Sequence, residues 1–197
     1  DLLKPGSGSS PMETGEFVER MQDAARRMGR LVQDMLSLAR ARNLTRPLEP
    51  VPLEDVAREA ADEYASNGAL GGGKLELGPL PTLDGDPGQL RQLFGNLFSN
   101  AVKFRRKDVP ARIQVSCKTT RPGFVDIEVS DNGIGFEEQH SRRIFEPFQR
   151  LHRRTDYEGS GLGLALCARI AARHGGSVTA RSVPGEGSVF TVSLTTG

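Results

Sequence analysis

The chain has 197 residues, of which 37% are hydrophobic and 26% are charged. This composition is typical of a globular protein with a buried core, and it excludes fibrous, disordered and membrane-spanning chains. The 26 Lys and Arg residues nearly balance the 25 Asp and Glu residues, so the formal net charge of +1 gives no reason to expect nucleic acid or an anionic membrane as the main partner.

The cysteine pattern and the lack of long apolar runs indicate a cytoplasmic chain. Cys117 and Cys167 are far apart and lack the paired spacing of zinc or redox sites, so we expect free thiols in a reducing cytosol. No segment approaches the roughly 18 uninterrupted apolar residues of a membrane span, and the N-terminus lacks a basic and then apolar signal pattern. We therefore predict no direct membrane insertion.

Residues 13–43 are predicted to form one long helix after a Gly/Ser-rich linker at residues 5–11, because they include no proline and their apolar residues recur at spacings of four and three. A solitary helix cannot bury so wide a stripe, so we expect a homodimer through residues 13–43. Packing of the helix on its own domain is the alternative. The stripe consists of a heptad seam and a flanking line seven residues apart: Phe17, Met21, Ala24, Met28, Leu31, Met35 and Leu38, then Val18, Ala25, Val32 and Ala39.

Residues 1–45 form this helical region, and a second domain is predicted at residues 46–197 after a proline-rich extended segment. In it we predict helices at 53–65, 86–105 and 161–174, and strands at 74–77, 80–83, 113–118, 125–129, 177–182 and 188–194. Asp86-Pro87 supplies an N-cap and a first helical residue. Because strands and helices do not alternate strictly, we predict an α+β sandwich, with helices on one face of a mostly antiparallel sheet, rather than a doubly wound parallel fold.

The helix that starts at Asp86 carries a polar stripe. At 100° per residue, Gln92, Asn96, Asn100 and Lys103 lie within about a third of a turn of one another. Asparagine is unfavourable inside a helix, so Asn96 and Asn100 need a reason beyond helix formation. Amide oxygens suit magnesium, and a lysine one turn along can bind phosphate as a point charge. An ordinary solvated helix face is the alternative.

Two glycine-rich segments follow. Asp131-Asn132-Gly133-Ile134-Gly135 comes directly after an apolar strand, where the carboxylate can accept a hydrogen bond from an exocyclic amine such as that of adenine. By itself this pattern is weak, and a plain turn would explain it. Gly159-Ser160-Gly161-Leu162-Gly163-Leu164 opens a helix whose N–H groups and dipole can receive phosphates. The polar stretch at 149–158 has the composition of a mobile lid.

Taken in this order, these elements resemble the ATP-binding domain of sensor histidine kinases over residues 46–196. Two further segments support the resemblance, Ile144-Phe145-Glu146-Pro147-Phe148 and Gly185-Glu186-Gly187-Ser188-Val189-Phe190. Asn96 to Lys103 is similar to the family's asparagine box, Asp131 to Gly135 to its first glycine box, Phe145 to Phe148 to its phenylalanine box, and Gly159 to Leu164 to its second glycine box. Phe148 to His152 and Tyr157 to Gly159 further resemble the branch of bacterial phytochromes and PAS-linked kinases. The helix at 13–43 looks like the second helix of the family's dimerisation and histidine-phosphotransfer domain.

The resemblance implies a Bergerat-type (GHKL) fold that binds ATP and Mg²⁺. It implies that Asn100 is the magnesium ligand, that Asp131 binds the adenine amine, and that Asn96 and Lys103 are the catalytic candidates. The boxes contribute further ATP-binding candidates: Gly133, Ile134, Gly135, Phe148, Gly159, Ser160, Gly161, Leu162, Gly163 and Leu164. The implied partners are a second copy of the chain, an upstream sensor domain and the receiver domain of a response regulator.

The sequence departs from the family at the phosphate acceptor. The family's histidine lies on the first dimerisation helix and is followed by an acidic residue, and no such pair occurs here. His174, before two glycines, is expected to be a helix C-cap, His152 to lie in the lid, and His140 in a polar loop. We therefore expect no autophosphorylation of the isolated chain, and we favour truncation over natural degeneracy.

The predicted function is the catalytic part of a sensor histidine kinase in two-component signalling. It would transfer the γ-phosphoryl group of ATP to a histidine absent from this chain, and a response-regulator aspartate would receive it next. The alternative is a nucleotide-sensing pseudokinase or scaffold. ATP-hydrolysing relatives such as gyrase are disfavoured, because a water-activating glutamate stands in them at the position that Asn96 occupies here.

Overall fold

The computed structural model describes residues 11–40, 47–65, 68–151, 157 and 159–196. Two 3₁₀ helices, Glu138–His140 and Arg143–Phe145, lie among the helices and strands that follow. In chain order these are α1 (Pro11–Arg40), β1 (Glu49–Pro52), α2 (Leu53–Ala65), β2 (Lys74–Leu77), β3 (Thr82–Gly85), α3 (Pro87–Lys103), β4 (Arg112–Arg121), β5 (Phe124–Asp131), α4 (Gly163–Arg173), β6 (Ser177–Val183) and β7 (Gly187–Thr195).

A five-stranded sheet forms one layer of the chain after α1. Its strand order is β2-β4-β5-β7-β6, and every neighbouring pair is antiparallel except β2 and β4. α2 packs against α3 and α3 against α4, while β1 and β3 form a separate antiparallel pair. Alternate residues of β4 and β5, such as Ile113, Val115 and Ile127, are fully buried. The predicted α+β sandwich with a mostly antiparallel sheet is therefore confirmed.

α3 is the central helix, because it packs against both α2 and α4. The Oδ1 atom of its N-cap, Asp86, accepts a hydrogen bond from the Gln89 N–H at 3.1 Å, and Pro87 takes the first helical position, as predicted. One face of the helix is anchored by buried apolar side chains, which fix its polar residues at defined positions: Leu90, Leu93, Phe94, Leu97, Phe98 and Ala101.

Two elements start two residues later than predicted, each for a local reason. The strand predicted at 80–83 is instead Thr82–Gly85, because the Pro81 carbonyl accepts the Leu53 N–H at 3.1 Å just before pairing with β1 begins. The helix predicted from Gly161 begins at Gly163, since Gly161 has φ +74° and so lies outside the helical region.

α1 confirms the predicted long helix over its described length, but its apolar stripe faces two surroundings. Ala24, Leu31 and Leu38 are half-buried, and α1 contacts α4. The remaining large apolar side chains of the predicted stripe are 46% to 64% exposed: Phe17, Val18, Met21, Met28, Val32 and Met35. We call these six exposed residues the exposed line of α1. Part of the stripe thus faces the chain itself, since Leu38 packs against the buried core, and the dimer contact through α1 stays a prediction.

Several predictions concern residues outside the described ones, namely the linker before Pro11, the end of the long helix at 41–43 and the domain boundary near residue 46. No described helix combines the length and the apolar character that crossing a bilayer requires.

Close packing at the end of α4 gives a stability prediction. A Cβ atom on Gly176 would stand 1.7 Å from the carbonyl oxygen of Ser193, so Gly176→Ala must displace backbone and should destabilise the fold by more than about 2 kcal/mol. Gly95, inside α3, has open space within 4 Å, so Gly95→Ala should stabilise the fold by about 0.5–1 kcal/mol. Urea unfolding measures both free energies, and the same sign for the two variants would contradict the packing described.

Candidate functional site

One cavity of about 730 Å³ collects most of the predicted site residues. α3, the segment after β5, the segment before α4 and one side of α1 form its walls. Gly133, Phe148 and Leu162 are not on these walls. The predicted residues that line the cavity are Asn96, Asn100, Lys103, Asp131, Ile134, Gly135, Gly159, Ser160, Gly161, Gly163 and Leu164.

The polar stripe of α3 enters the cavity along only part of its length. Asn96, Asn100 and Lys103 line it, whereas Gln92 faces a smaller cavity of about 440 Å³ between α2 and α3. The Nδ2 atom of Asn96 is buried and has no hydrogen-bond partner among the described residues. A buried amide donor without a partner is costly unless a ligand satisfies it. Asn96 is therefore a ligand-binding candidate rather than a residue of a solvated helix face.

Lys103, the last residue of α3, brings a positive charge to the same wall. Its Nζ atom lies 4.3 Å from the centre of the Phe104 ring, and that ring lies 5.0 Å from the ring of Tyr157. A Cβ atom on Gly159 would stand 2.7 Å from this Nζ atom. The absence of a side chain at Gly159 therefore lets the segment before α4 pass directly over the lysine.

Asp131, the last residue of β5, places a carboxylate on the cavity wall. Its Oδ1 atom accepts a hydrogen bond from the Gly133 N–H at 2.8 Å. Burial raises the pKa of Asp131 to about 6, against the opposing effect of hydrogen bonds from the backbone of Gly133 and Ser188. Near neutral pH the group is thus an ionised acceptor, held at a defined position by the backbone around it.

The glycines after Asp131 have a structural reason that the sequence did not reveal. A Cβ atom on Gly133 would stand 2.6 Å from the carbonyl oxygen of Phe104, and one on Gly135, which has φ +62°, would stand 2.1 Å from that of Val183. These glycines let the segment pack against the end of α3 and against the turn between β6 and β7. Gly135 lines the cavity, whereas Gly133 acts only through its N–H bond to Asp131.

The second glycine segment divides in the same way. Gly163, the first residue of α4, lies against Asn96, since a Cβ atom on Gly163 would stand 3.3 Å from the Asn96 Oδ1 atom. Leu162 is only 1% exposed and belongs to the buried interior, so its prediction as a nucleotide contact is not supported by its location.

Phe148 is also displaced from its predicted role. Its side chain is 59% exposed and its φ is +64°, a left-handed conformation that is uncommon for a residue other than glycine. Its backbone N–H donates to the Gly161 carbonyl at 2.9 Å. Phe148 therefore supports the glycine segment through its main chain, and its ring does not contact the cavity.

Several cavity residues were missed by sequence reasoning. The Arg150 guanidinium donates to the carbonyl oxygens of Gly159 at 2.6 Å and Tyr157 at 2.5 Å, which holds the described part of the predicted lid near Lys103. Ser188, next to Asp131 across the sheet, also lines the cavity, and the Gly185-Glu186-Gly187-Ser188 pattern was the signal for it. Leu31 and Asp34 of α1 line it as well, and no local motif marks them. His152 and the rest of 152–156 lie outside the described residues.

The oxygen donors on the cavity wall suit Mg²⁺ shared with a ligand better than a metal ion held by the protein alone. Among the described residues, no group of three or more His, Cys, Asp or Glu side chains could hold an ion by itself. Asn100 offers a single amide oxygen to the cavity, and Mg²⁺ commonly takes one or two protein oxygens together with water and substrate phosphates. Asn100 could therefore hold Mg²⁺ that is shared with a phosphate ligand.

The fold and the cavity define a GHKL-type ATPase or kinase domain. The chain belongs to this family: the family model described as "Histidine kinase-, DNA gyrase B-, and HSP90-like ATPase" matches residues 85–197.

Individual relatives agree with this assignment. Cyanobacterial phytochrome A of Nostoc sp. is 33% identical over 185 residues, which cover 94% of this chain and 24% of the relative. The circadian input-output histidine kinase CikA of Synechococcus elongatus is 32% identical over 200 residues, which cover 97% of this chain and 26% of the relative. The structure of full-length ShkA in complex with AMPPNP matches with a TM-score of 0.74 and 30% identity, over 97% of this chain and 41% of that one. The chain thus spans about a quarter of the length of these curated relatives.

Asp131 should reduce the stability of the fold at neutral pH. Its pKa of about 6 in the folded chain exceeds the ordinary value of 3.8. The protonated carboxyl group therefore stabilises the fold fully only below pH 3.8, and this stabilisation is lost as pH rises through 6. We expect Asp131→Asn to stabilise the unliganded chain by about 2–3 kcal/mol at pH 7.5 and to have little effect at pH 3.8. Urea unfolding at both values tests this, with Glu128→Gln on the same strand as the control. A destabilised variant at pH 7.5 would show that the carboxylate is not buried as described.

Proposed function

We propose that this chain is the ATP-binding catalytic part of a sensor histidine kinase in two-component signal transduction. The observation that carries the proposal is a single cavity that combines Asp131 at the end of β5 with Asn96, Asn100 and Lys103 on α3. The name of CikA as a histidine kinase and the AMPPNP complex of ShkA support it.

Asp131 would recognise the adenine base. Its carboxylate can accept a hydrogen bond from the exocyclic amine of adenine, and guanine offers a carbonyl oxygen at the corresponding position. An ionised acceptor bound to two backbone N–H groups has little freedom to reorient. Recognition of adenine would therefore depend on a carboxylate whose position is fixed at the end of β5.

The phosphates would lie along the wall that Asn96, Asn100 and Lys103 form on α3. The Lys103 ammonium would meet them as a point charge, and the unpartnered Asn96 amide would donate to them or to the acceptor group. Asn100 would hold Mg²⁺, which when bound neutralises phosphate oxygen charge. Phosphoryl transfer needs mainly positioning and charge stabilisation from the protein, and this set of residues is suited to both.

The phosphoryl acceptor would be a histidine outside this sequence. His174 is 1% exposed and both of its ring nitrogens are hydrogen-bonded, so it cannot attack a phosphate. His140 lies in a 3₁₀ helix 3.9 Å from a Glu137 oxygen and is not on the cavity wall.

The partners follow from this role and from α1. We place a second copy of the chain on the exposed line of α1, and we place an upstream sensor domain and a response-regulator receiver domain in the same signalling unit. The free thiols of Cys117 and Cys167 support a cytoplasmic location.

Nucleotide binding tests the proposal directly. We expect the unmodified chain to bind ATP with Mg²⁺ in calorimetry, and Asp131→Asn to weaken ATP binding roughly 10- to 100-fold and remove the preference for ATP over GTP, because a bond to a charged acceptor is lost. Asn100→Ala should remove the enhancement of binding by Mg²⁺.

Glu128→Gln is the matched control, because it neutralises a carboxylate of the same strand that is not on the cavity wall. The absence of binding by the unmodified chain at millimolar ATP would reject the proposed function.

Self-association tests the partner assignment. Met28 and Met35 lie on the exposed line of α1, so the double variant Met28→Glu/Met35→Glu should sediment as a monomer under conditions in which the unmodified chain associates. Gln33→Glu adds a charge to an exposed position on the same helix and should leave association unchanged. Equal sedimentation of the unmodified chain and the double variant would reject α1 as the interface.

A further inference from the structure

His174 occupies a position that the proposed mechanism does not use. It follows the last residue of α4, its side chain is almost completely buried, and its backbone closes the helix. The Nδ1 atom lies 2.8 Å from the carbonyl oxygen of Ile170, and the Nε2 atom lies 3.0 Å from the backbone nitrogen of Asp86. The ring thus has one partner on its own helix and one partner at the start of α3.

These partners determine the protonation state of the ring. A carbonyl oxygen can only accept a hydrogen bond, so Nδ1 must carry the hydrogen, and a backbone N–H can only donate, so Nε2 must not. A protonated ring would direct an N–H at the N–H of Asp86. Burial lowers the pKa of His174, the nearby guanidinium of Arg173 lowers it further, and the Ile170 carbonyl and Asp86 act in the opposite direction. The neutral form is therefore the one that the site requires.

The contact joins the two helices that form the cavity. Asp86 is the N-cap of α3, and its Oδ2 atom lies 3.7 Å from the Nη1 atom of Arg173. α3 carries Asn96 and Lys103, and α4 presents Gly163 to the Asn96 amide at the opposite end. At 1.5 Å per residue, His174 lies about 16 Å along α4 from Gly163.

We propose that His174 is a positioning residue of the nucleotide site, whose neutral ring fixes the end of α4 to the start of α3 and so sets the spacing of Gly163 and the polar stripe. This inference rests on the proposed function. A small change of angle at the His174 end displaces the cavity end of two rigid helices, which alters nucleotide contacts without any change in the residues that touch the nucleotide.

Two substitutions separate the two bonds of the ring. In His174→Gln, the side-chain oxygen can take the place of Nε2 and accept the Asp86 N–H. In His174→Asn, the shorter amide can reach Ile170 but not Asp86. We expect His174→Asn to weaken Mg²⁺–AMPPNP binding at least about fivefold in calorimetry at pH 7.5, within the usual range of coupling between sites. His174→Gln should stay within about threefold of the unmodified chain.

Thr195→Val is the matched control for general destabilisation. The Thr195 hydroxyl donates to the His174 carbonyl at 2.8 Å, so its removal loosens the end of α4 from β7 and leaves the link to α3 intact. We expect it to lower the urea midpoint without weakening nucleotide binding. Equal binding by His174→Asn and the unmodified chain would overturn the proposal, as would a loss in Thr195→Val as large as that in His174→Asn.

A measurement on the unmodified chain keeps the inference testable if the variants do not fold. Nitrogen-15 NMR should show His174 as the neutral Nδ1–H tautomer at pH 7.5, and an Nε2–H tautomer or a charged ring would overturn the proposal. If the unmodified chain binds no nucleotide, the proposed function fails and this inference fails with it. Normal nucleotide binding combined with an insensitive His174→Asn variant rejects this inference alone.

Discussion

The burial of one face of α3 is the constraint on which the rest of the structure depends. Its five buried Leu and Phe side chains each contribute about 1.5–3 kcal/mol by leaving water, whereas an asparagine inside a helix costs less than about 1 kcal/mol relative to alanine. Packing therefore outweighs the poor helix propensity of Asn96 and Asn100. Because the helix cannot rotate without exposing Phe94 or Leu97, its polar stripe keeps one orientation, and the cavity forms where that stripe meets the end of β5.

The same rigidity permits an unfavourable group to persist at the site. Asp131 gains two backbone hydrogen bonds, yet its pKa of about 6 shows that burial outweighs them. A domain with many fully buried apolar side chains can tolerate a few kcal/mol of such strain. The carboxylate is then available to accept a hydrogen bond that water supplies poorly. Binding sites commonly lower the stability of a fold in this way in exchange for function.

Local rules predicted the elements that local forces decide. The N-cap at Asp86, the amphipathic helix at 53–65 and the polar stripe of α3 depend on neighbours within a few residues, and each appears where it was expected. The exact start of α4 depends on the φ of +74° at Gly161, and the burial of Leu162 depends on the interior behind it. The family resemblance predicts Gly133 and Gly135 as ligand contacts, but a Cβ atom at either position would also collide with a carbonyl oxygen, that of Phe104 or that of Val183. Only the tertiary structure brings those atoms together, so no spacing rule could have assigned these roles.

α1 shows how one helix can belong to two surfaces at once. Leu31 and Asp34 lie on the cavity wall, while Val32 and Met35, one residue further along the chain in each case, are exposed. Adjacent residues of a helix are about 100° apart around its axis, so the exposed line and the cavity wall are separated by a fraction of a turn rather than by a chain of intermediate contacts. The α-helical backbone does not stretch or unwind cheaply, so a partner that moves the exposed line must move Leu31 and Asp34 with it. The cavity and the exposed surface of α1 are therefore two sides of a single helix, with no second element between them.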